Sequence, residues 1–158
     1  MMTIKLLVIG KTDTCELQQL IGSYEKRLAH YIHFELDILP DIRKTKIHNR
    51  DQQKQAEGEA ILQKINASDR VYLLDERGKP YSSIEFAGFL QKQMNMGIKR
   101  LVFIIGGPFG FSGELYDRAN GKISLSKMTF SHQMVRLFMV EQLYRAFTIL
   151  RNEPYHHQ

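Results

Sequence analysis

One pattern constrains this chain more than any other: its hydrophobic period switches repeatedly between that of a strand and that of a helix. TIKLLVIG (3–10), FELDIL (34–39), RVYLLD (70–75), RLVFIIG (100–106) and KISLS (122–126) are short β-rich runs. Helical spacing separates or follows them, first in ELQQLIGSYEKRLAHY (16–31) and then over roughly 52–65, with a stripe of Ala56, Ala60, Ile61 and Ile65. A third helix starts at Ser82, with Glu85 three positions on in capping-box spacing, and the last runs from about Ser131 to Leu150. The third and fourth strands are almost continuously apolar, which fits strands buried on both faces of a mostly parallel sheet. No internal repeat, low-complexity tract or linker interrupts the 158 residues, enough chain to bury its own core. The expectation is a single α/β domain over 1–158.

The last helix is apolar on more than one side. MVRLFMVEQLYRAFTIL puts apolar residues at 134, 135, 137–140, 143, 144, 146, 147, 149 and 150. One face can cover the sheet, and the other calls for a second partner. A twofold copy of the chain is the expected partner, and a helix central to the monomer is the alternative.

The net charge of +5 points to a polyanion such as nucleic acid. Arg43, Lys44, Lys46, Arg50 and Lys54 crowd into residues 42–54, which otherwise read as a solvated loop. A single cysteine, Cys15, allows no internal disulfide and suggests a cytoplasmic protein. No apolar run reaches membrane-span length and no signal-peptide pattern stands at the start. The pairs His30/His33 and His156/His157 lack an accompanying cysteine or carboxylate cluster, so no metal is expected.

FIIGGPFGFSG (103–113) concentrates glycine at the carboxyl end of a predicted strand, where open α/β sheets bind ligands. A phosphate P-loop would need glycine at Lys5, and a dinucleotide fingerprint would need it at Ile105. Both fail. A KH-type GxxG loop also fits poorly, with Pro108 and Phe109 at its centre. Pro108 removes an N–H that an anion cradle would use, so the loop suits an uncharged or cationic ligand. A plain turn is the alternative.

LLDERGK (73–79), FIIGGPFGFS (103–112) and the terminal segment SLSKMTFSHQMVRLFMVEQLYRAFTILRNEPYHH (124–157) together resemble the small SPOUT-class methyltransferases. The nearest resemblance is to the bacterial 23S rRNA pseudouridine N3-methyltransferases, the RlmH family, and it covers essentially the whole chain. It implies a SPOUT-type sheet with a C-terminal trefoil knot, which periodicity cannot reveal and general topology rules disfavour. It also implies a homodimer that binds S-adenosylmethionine and methylates N3 of pseudouridine-1915 in 23S rRNA. The matching cofactor positions are Leu74, Gly106, Leu125, Ser126, Lys127, Met128, Thr129 and Phe130. Gly106 and Gly107 would admit the methionine and ribose portion to the backbone; core packing is the alternative for Met128 and Phe130. Family position marks Arg136, Tyr155 and His156 as catalytic candidates, with Arg145 and His157 beside them; an ion pair with Glu141 is the alternative for Arg145. At Phe109 members often carry Glu or Asn. The competing functions are a different SPOUT RNA methyltransferase, on tRNA or another rRNA site, and a catalytically silent RNA-binding dimer.

Overall fold

The computed structural model describes residues 1–42 and 49–157. Strands β1 (Thr3–Ile9), β2 (His33–Leu39), β3 (Arg70–Pro80), β4 (Arg100–Ile105) and β5 (Gly121–Ser124) form one sheet in the order β2-β1-β4-β3-β5. Every neighbouring pair is parallel. Helices α1 (Cys15–Leu28), α2 (Arg50–Leu62), α3 (Ser83–Asn95) and α4 (Gly113–Arg118) lie on the crossovers between successive strands, and α5 (His132–Leu150) follows β5.

The period-2 geometry of a strand sorts the apolar residues into two cores. Leu6, Val8, Leu101, Phe103, Ile105 and Tyr72 meet α1, α3 and α5 on one face. Leu7, Ile9, Val71, Leu73, Val102 and Ile104 meet α2 and α4 on the other. This is why the central strands lack polar alternation: both faces are covered. Lys5 is the exception within β1, and its ammonium lies 3.2 Å from Asp37 and 3.7 Å from Glu35 on the neighbouring edge strand.

Each described helix begins at a polar cap. Thr14, Asn49, Ser82, Ser112 and Ser131 all accept a backbone N–H from the first turn with their side chains. At Ser82 the box closes in both directions with Glu85. Two elements depart from the sequence reading. β3 runs on to Pro80 instead of stopping at residue 75, because its register on β5 shifts between Leu74 and Lys79 and pairing resumes. The short α4 follows Ser112 where no helix was expected. Arg43, Lys44 and Lys46 lie outside the described residues, whereas Arg50 and Lys54 stand on α2. Among the described residues no helix is long and apolar enough to cross a membrane.

Candidate active site

Parallel strands deliver their carboxyl ends to one edge of the sheet, and the loops there converge. A cavity of about 370 Å³ opens at the carboxyl end of β4 and beside the irregular middle of β3, large enough for a small organic ligand. Three segments wall it: Leu74–Arg77, the glycine loop from Ile105 to Phe111, and the stretch after β5. Tyr116 of α4 and the first turn of α5, through His132 and Val135, complete the lining. Of the cofactor positions named from the sequence, Leu74, Gly106, Leu125, Ser126, Met128, Thr129 and Phe130 all line this cavity. Lys127 is exposed and is not part of the wall. Met128 is 73% exposed and Phe130 38%, so neither is a core residue.

The segment after β5 is shaped by its own hydroxyls. Ser124 Oγ donates to the Ser126 carbonyl at 2.8 Å, and Ser126 Oγ accepts the Met128 N–H at 2.9 Å. Thr129 Oγ1 donates to Glu76 at 2.5 Å and so ties two walls of the cavity together. Phe130 packs against Phe138 on α5, with ring centroids 5.0 Å apart. Beneath the glycine loop lies Glu57 of α2, 4% exposed, whose Oε2 accepts from Gln53 at 3.0 Å. Burial raises its carboxyl above the ordinary glutamate range.

Among the charged lining residues Asp75 and Glu76 outnumber Arg77, so the wall carries a small excess of negative charge. Burial by itself would raise Asp75. The Arg77 N–H at 2.9 Å and the Tyr116 hydroxyl at 2.7 Å, with the charges of Arg77 and Lys122, outweigh it and hold the carboxyl below its usual value. Glu76 stands beside it. His132 is pushed below its ordinary value by burial and by Arg136, so its imidazole is uncharged at neutral pH. Such a cavity favours a ligand carrying positive charge over an isolated phosphate.

The catalytic candidates sit elsewhere. Arg136, Tyr155 and His156 do not line the cavity among the described residues. Arg136 is 1% exposed, donating to the Ile9 carbonyl at 2.7 Å and to Thr12 Oγ1 at 3.2 Å. In this chain it ties α5 to the end of β1 and is closed to solvent. Arg136→Ala is expected to cost about 3 kcal/mol, through a cavity and an orphaned carbonyl, in a urea titration.

Tyr155 and His156 belong to a network on the far part of α5. Glu141 Oε1 accepts from Arg145 Nη2 at 2.6 Å and from the Tyr155 hydroxyl at 3.0 Å. The Tyr155 proton is thus engaged, and its oxygen accepts from Tyr24 at 3.2 Å. Burial and these bonds raise its pKa, so it remains a phenol at working pH. Arg145 also donates to His156 Nδ1 at 3.1 Å, which leaves the neutral imidazole its proton on Nε2. The Arg145–Glu141 pair seen as an alternative in the sequence is present, and Arg145 additionally stacks on Tyr155 at 4.7 Å.

The tail is pinned by Tyr31, whose hydroxyl donates to Glu153 at 2.6 Å. That hydrogen bond, then burial and the Glu153 charge, push the phenol up to about 12. An unfolded tyrosine ionises near 10, so the fold favours the protonated form. The contribution is present below about pH 10 and is lost as pH rises through about 12. Wild-type denaturation midpoints are expected to fall across that window, and those of Tyr31→Phe to fall less.

The family model described as "Predicted SPOUT methyltransferase" matches residues 2–156. This chain belongs to the SPOUT methyltransferase family. Curated relatives named "Ribosomal RNA large subunit methyltransferase H" match over 157 residues, 99% of this chain and 100% of theirs. The identities are 64% for Christiangramia forsetii, 62% for Flavobacterium johnsoniae and 54% for Porphyromonas gingivalis. Among solved structures, a probable methylase family protein from Haemophilus influenzae shares the fold, with a TM-score of 0.51 at 13% identity. That match covers 99% of this chain and 70% of the other.

Several lining residues of this SPOUT methyltransferase were not singled out from sequence: Asp75, Glu76, Arg77, Tyr116, His132 and Val135. Asp75 to Arg77 sit inside the quoted LLDERGK motif and follow a predicted strand end, so position alone could have marked them. Tyr116 had no such signal, because the short helix that carries it went unseen.

Proposed function

We propose that this protein is an S-adenosylmethionine-dependent methyltransferase acting on large-subunit ribosomal RNA, at N3 of a pseudouridine in a 23S hairpin. The observation that carries the reading is the convergence of three separate chain segments on one glycine-floored cavity with two carboxylates in its wall, at the end of β4 and the irregular middle of β3. Relatives alike over their full length and named as large-subunit rRNA methyltransferases support the substrate class. The trefoil knot that the family implies is part of the proposal.

The residues present fit this cofactor. A bound S-adenosylmethionine supplies an electrophilic methyl on a sulfonium cation. Asp75 and Glu76 complement positive charge, Gly106 leaves the floor open, and Leu125, Met128 and Phe130 offer apolar surface for a flat heterocycle. Methyl transfer then asks mainly for alignment of an incoming nucleophile. N3 of the base loses a proton as it reacts, and a cationic or hydrogen-bonding group stabilises the developing anion.

The tail groups suited to that task, Arg145, Tyr155 and His156, are held together but lie away from the cavity. Arg145 is 13 residues beyond His132 on one helix, roughly 20 Å along its axis. A twofold partner resolves the separation by bringing its own tail to this chain's cavity. Met134, Leu137 and Phe138, partly exposed apolar residues on α5, are the surface proposed for that contact. No role at the reacting base is proposed for the buried Arg136.

The test is methylation of ribosomes from cells lacking this gene, with labelled S-adenosylmethionine and mapping of the mark. Label at N3 of a pseudouridine in the large-subunit RNA is the expected result. Label at another nucleotide retains the activity class and refutes the substrate. Failure to bind the cofactor refutes the enzyme reading and favours the silent RNA-binding dimer.

A further inference from the structure

The turn Gly107–Gly110 sends two neighbouring aromatic rings in opposite directions. Gly107 O accepts the Gly110 N–H at 3.2 Å, and Gly110 closes the turn at φ +87°, a conformation that favours glycine. Beyond it, Phe111 is buried in the core on the α2/α4 face and meets Tyr116 edge-on, with centroids 5.8 Å apart. Phe109 instead is 41% exposed on the rim of the cavity. Over its ring, 5.4 Å from the centroid, lies the guanidinium of the exposed Arg50 at the start of α2. Arg77 stands on the same rim with its side chain 80% exposed.

A single exposed ring on a protein surface needs no function. This one differs in three respects. It stands at the mouth of the proposed methyl-donor cavity, a guanidinium covers part of it, and the buried Phe111 and rigid Pro108 hold its turn in place. Aromatic and guanidinium planes at such a mouth are the groups that grip an unpaired base, by stacking and by charge. A preset ring also loses little freedom on binding.

We infer that Phe109 and Arg50 form a stacking platform that holds an unpaired nucleobase of the RNA substrate at the mouth of the cofactor cavity. The location rests on the methyltransferase reading above; the grip on a base is a separate claim. Phe109 presents its π-face, and Arg50 completes the stack while meeting the adjoining phosphate.

The probe is an RNA hairpin carrying 2-aminopurine in an unpaired loop, titrated with the full chain while fluorescence quenching is followed. Phe109→Ala and Phe109→Leu are expected to weaken binding about tenfold, and Phe109→Trp to restore it. Arg50→Ala is expected to weaken it by about threefold. S-adenosylmethionine affinity by calorimetry should change by less than RNA affinity does, since Phe109 stands only on the rim of that cavity, and the sedimentation coefficient should stay that of the wild type. Four outcomes overturn the inference. Wild-type protein that gives no quenching shows no grip on a base. A leucine variant that binds as tightly as wild type shows that a π-face is not needed. A parallel loss of cofactor affinity makes Phe109 a cofactor wall, and a changed sedimentation coefficient makes it a subunit contact. Wild-type protein that grips the hairpin through Phe109 yet methylates no ribosome refutes the proposed activity and leaves the platform standing.

Discussion

Gly78→Ala is expected to destabilise the protein by about 4 kcal/mol, lowering the melting temperature by roughly 10 °C. A Cβ at position 78 would lie 2.6 Å from the Lys122 carbonyl carbon and 2.7 Å from the Ile123 nitrogen. Those are backbone atoms of β5, and they cannot swing aside as a side-chain tip does. Relief requires β3 and β5 to separate where their register shifts, between Leu74 and Lys79. The strain therefore falls on the strand that leads into the Leu125–Phe130 wall of the cavity, and cofactor affinity should drop with stability. Gly88→Ala is the natural control. It lies within α3, and a Cβ there has nothing within 4 Å. Alanine should raise stability by about 0.5–1 kcal/mol through helix propensity and a less flexible unfolded chain. Calorimetric melts of both variants check the pair. Similar melting temperatures for the two would show that β3 and β5 do not press together at Gly78.

Gly106→Val is expected to lower S-adenosylmethionine affinity at least a hundredfold while leaving a folded protein. Gly106 lines the cavity, so a branched side chain occupies space that the ligand would use. The first added carbon would also stand 3.0 Å from the Phe111 ring, which is packed in the core and has limited room to retreat. The contact is with a side chain rather than a backbone, so the structural cost should be about 1–2 kcal/mol. Titration calorimetry with the cofactor and a thermal melt separate the two effects. Cofactor affinity within twofold of wild type would show that the cavity is not the methyl-donor site. A silent RNA-binding module would keep its RNA affinity after this change, whereas methyl transfer by an enzyme would be lost.

Much of the fold is visible in local signals. The third and fourth strands announce their two-sided burial by the apolar runs VYLL and LVFII, and the structure covers those runs on both faces. The capping box at Ser82 and Glu85 stands as the spacing suggested. Strand ends and short elements are less visible. β3 continues through the charged, glycine-containing ERGKP because β5 pairs with it there, and no residue within that segment says so. The six-residue α4 is too short to show a period. The candidate site divides in the same way. LLDERGK, the glycine loop and LSKMTF were each legible as motifs, and seven of the eight named cofactor positions share one cavity. Arg136 was not legible, because an arginine on an apolar helix gives the same letters whether it faces substrate or caps a buried carbonyl.

By itself, the sequence determined the layered α/β architecture, the helix starts at Ser82 and Ser131, and a loop whose missing Cβ atoms and missing N–H suit a ligand without negative charge. These follow from covalent geometry and from periodicity, which act within a few residues of one another. Only the tertiary structure decided that three distant segments meet at one cavity. It also decided that Phe109 turns outward while Phe111 turns in, and that Arg136 is sealed between α5 and the end of β1. Each depends on where the chain folds back on itself. Burial and charge at a given residue are set by neighbours scores of positions away, which local pattern does not encode.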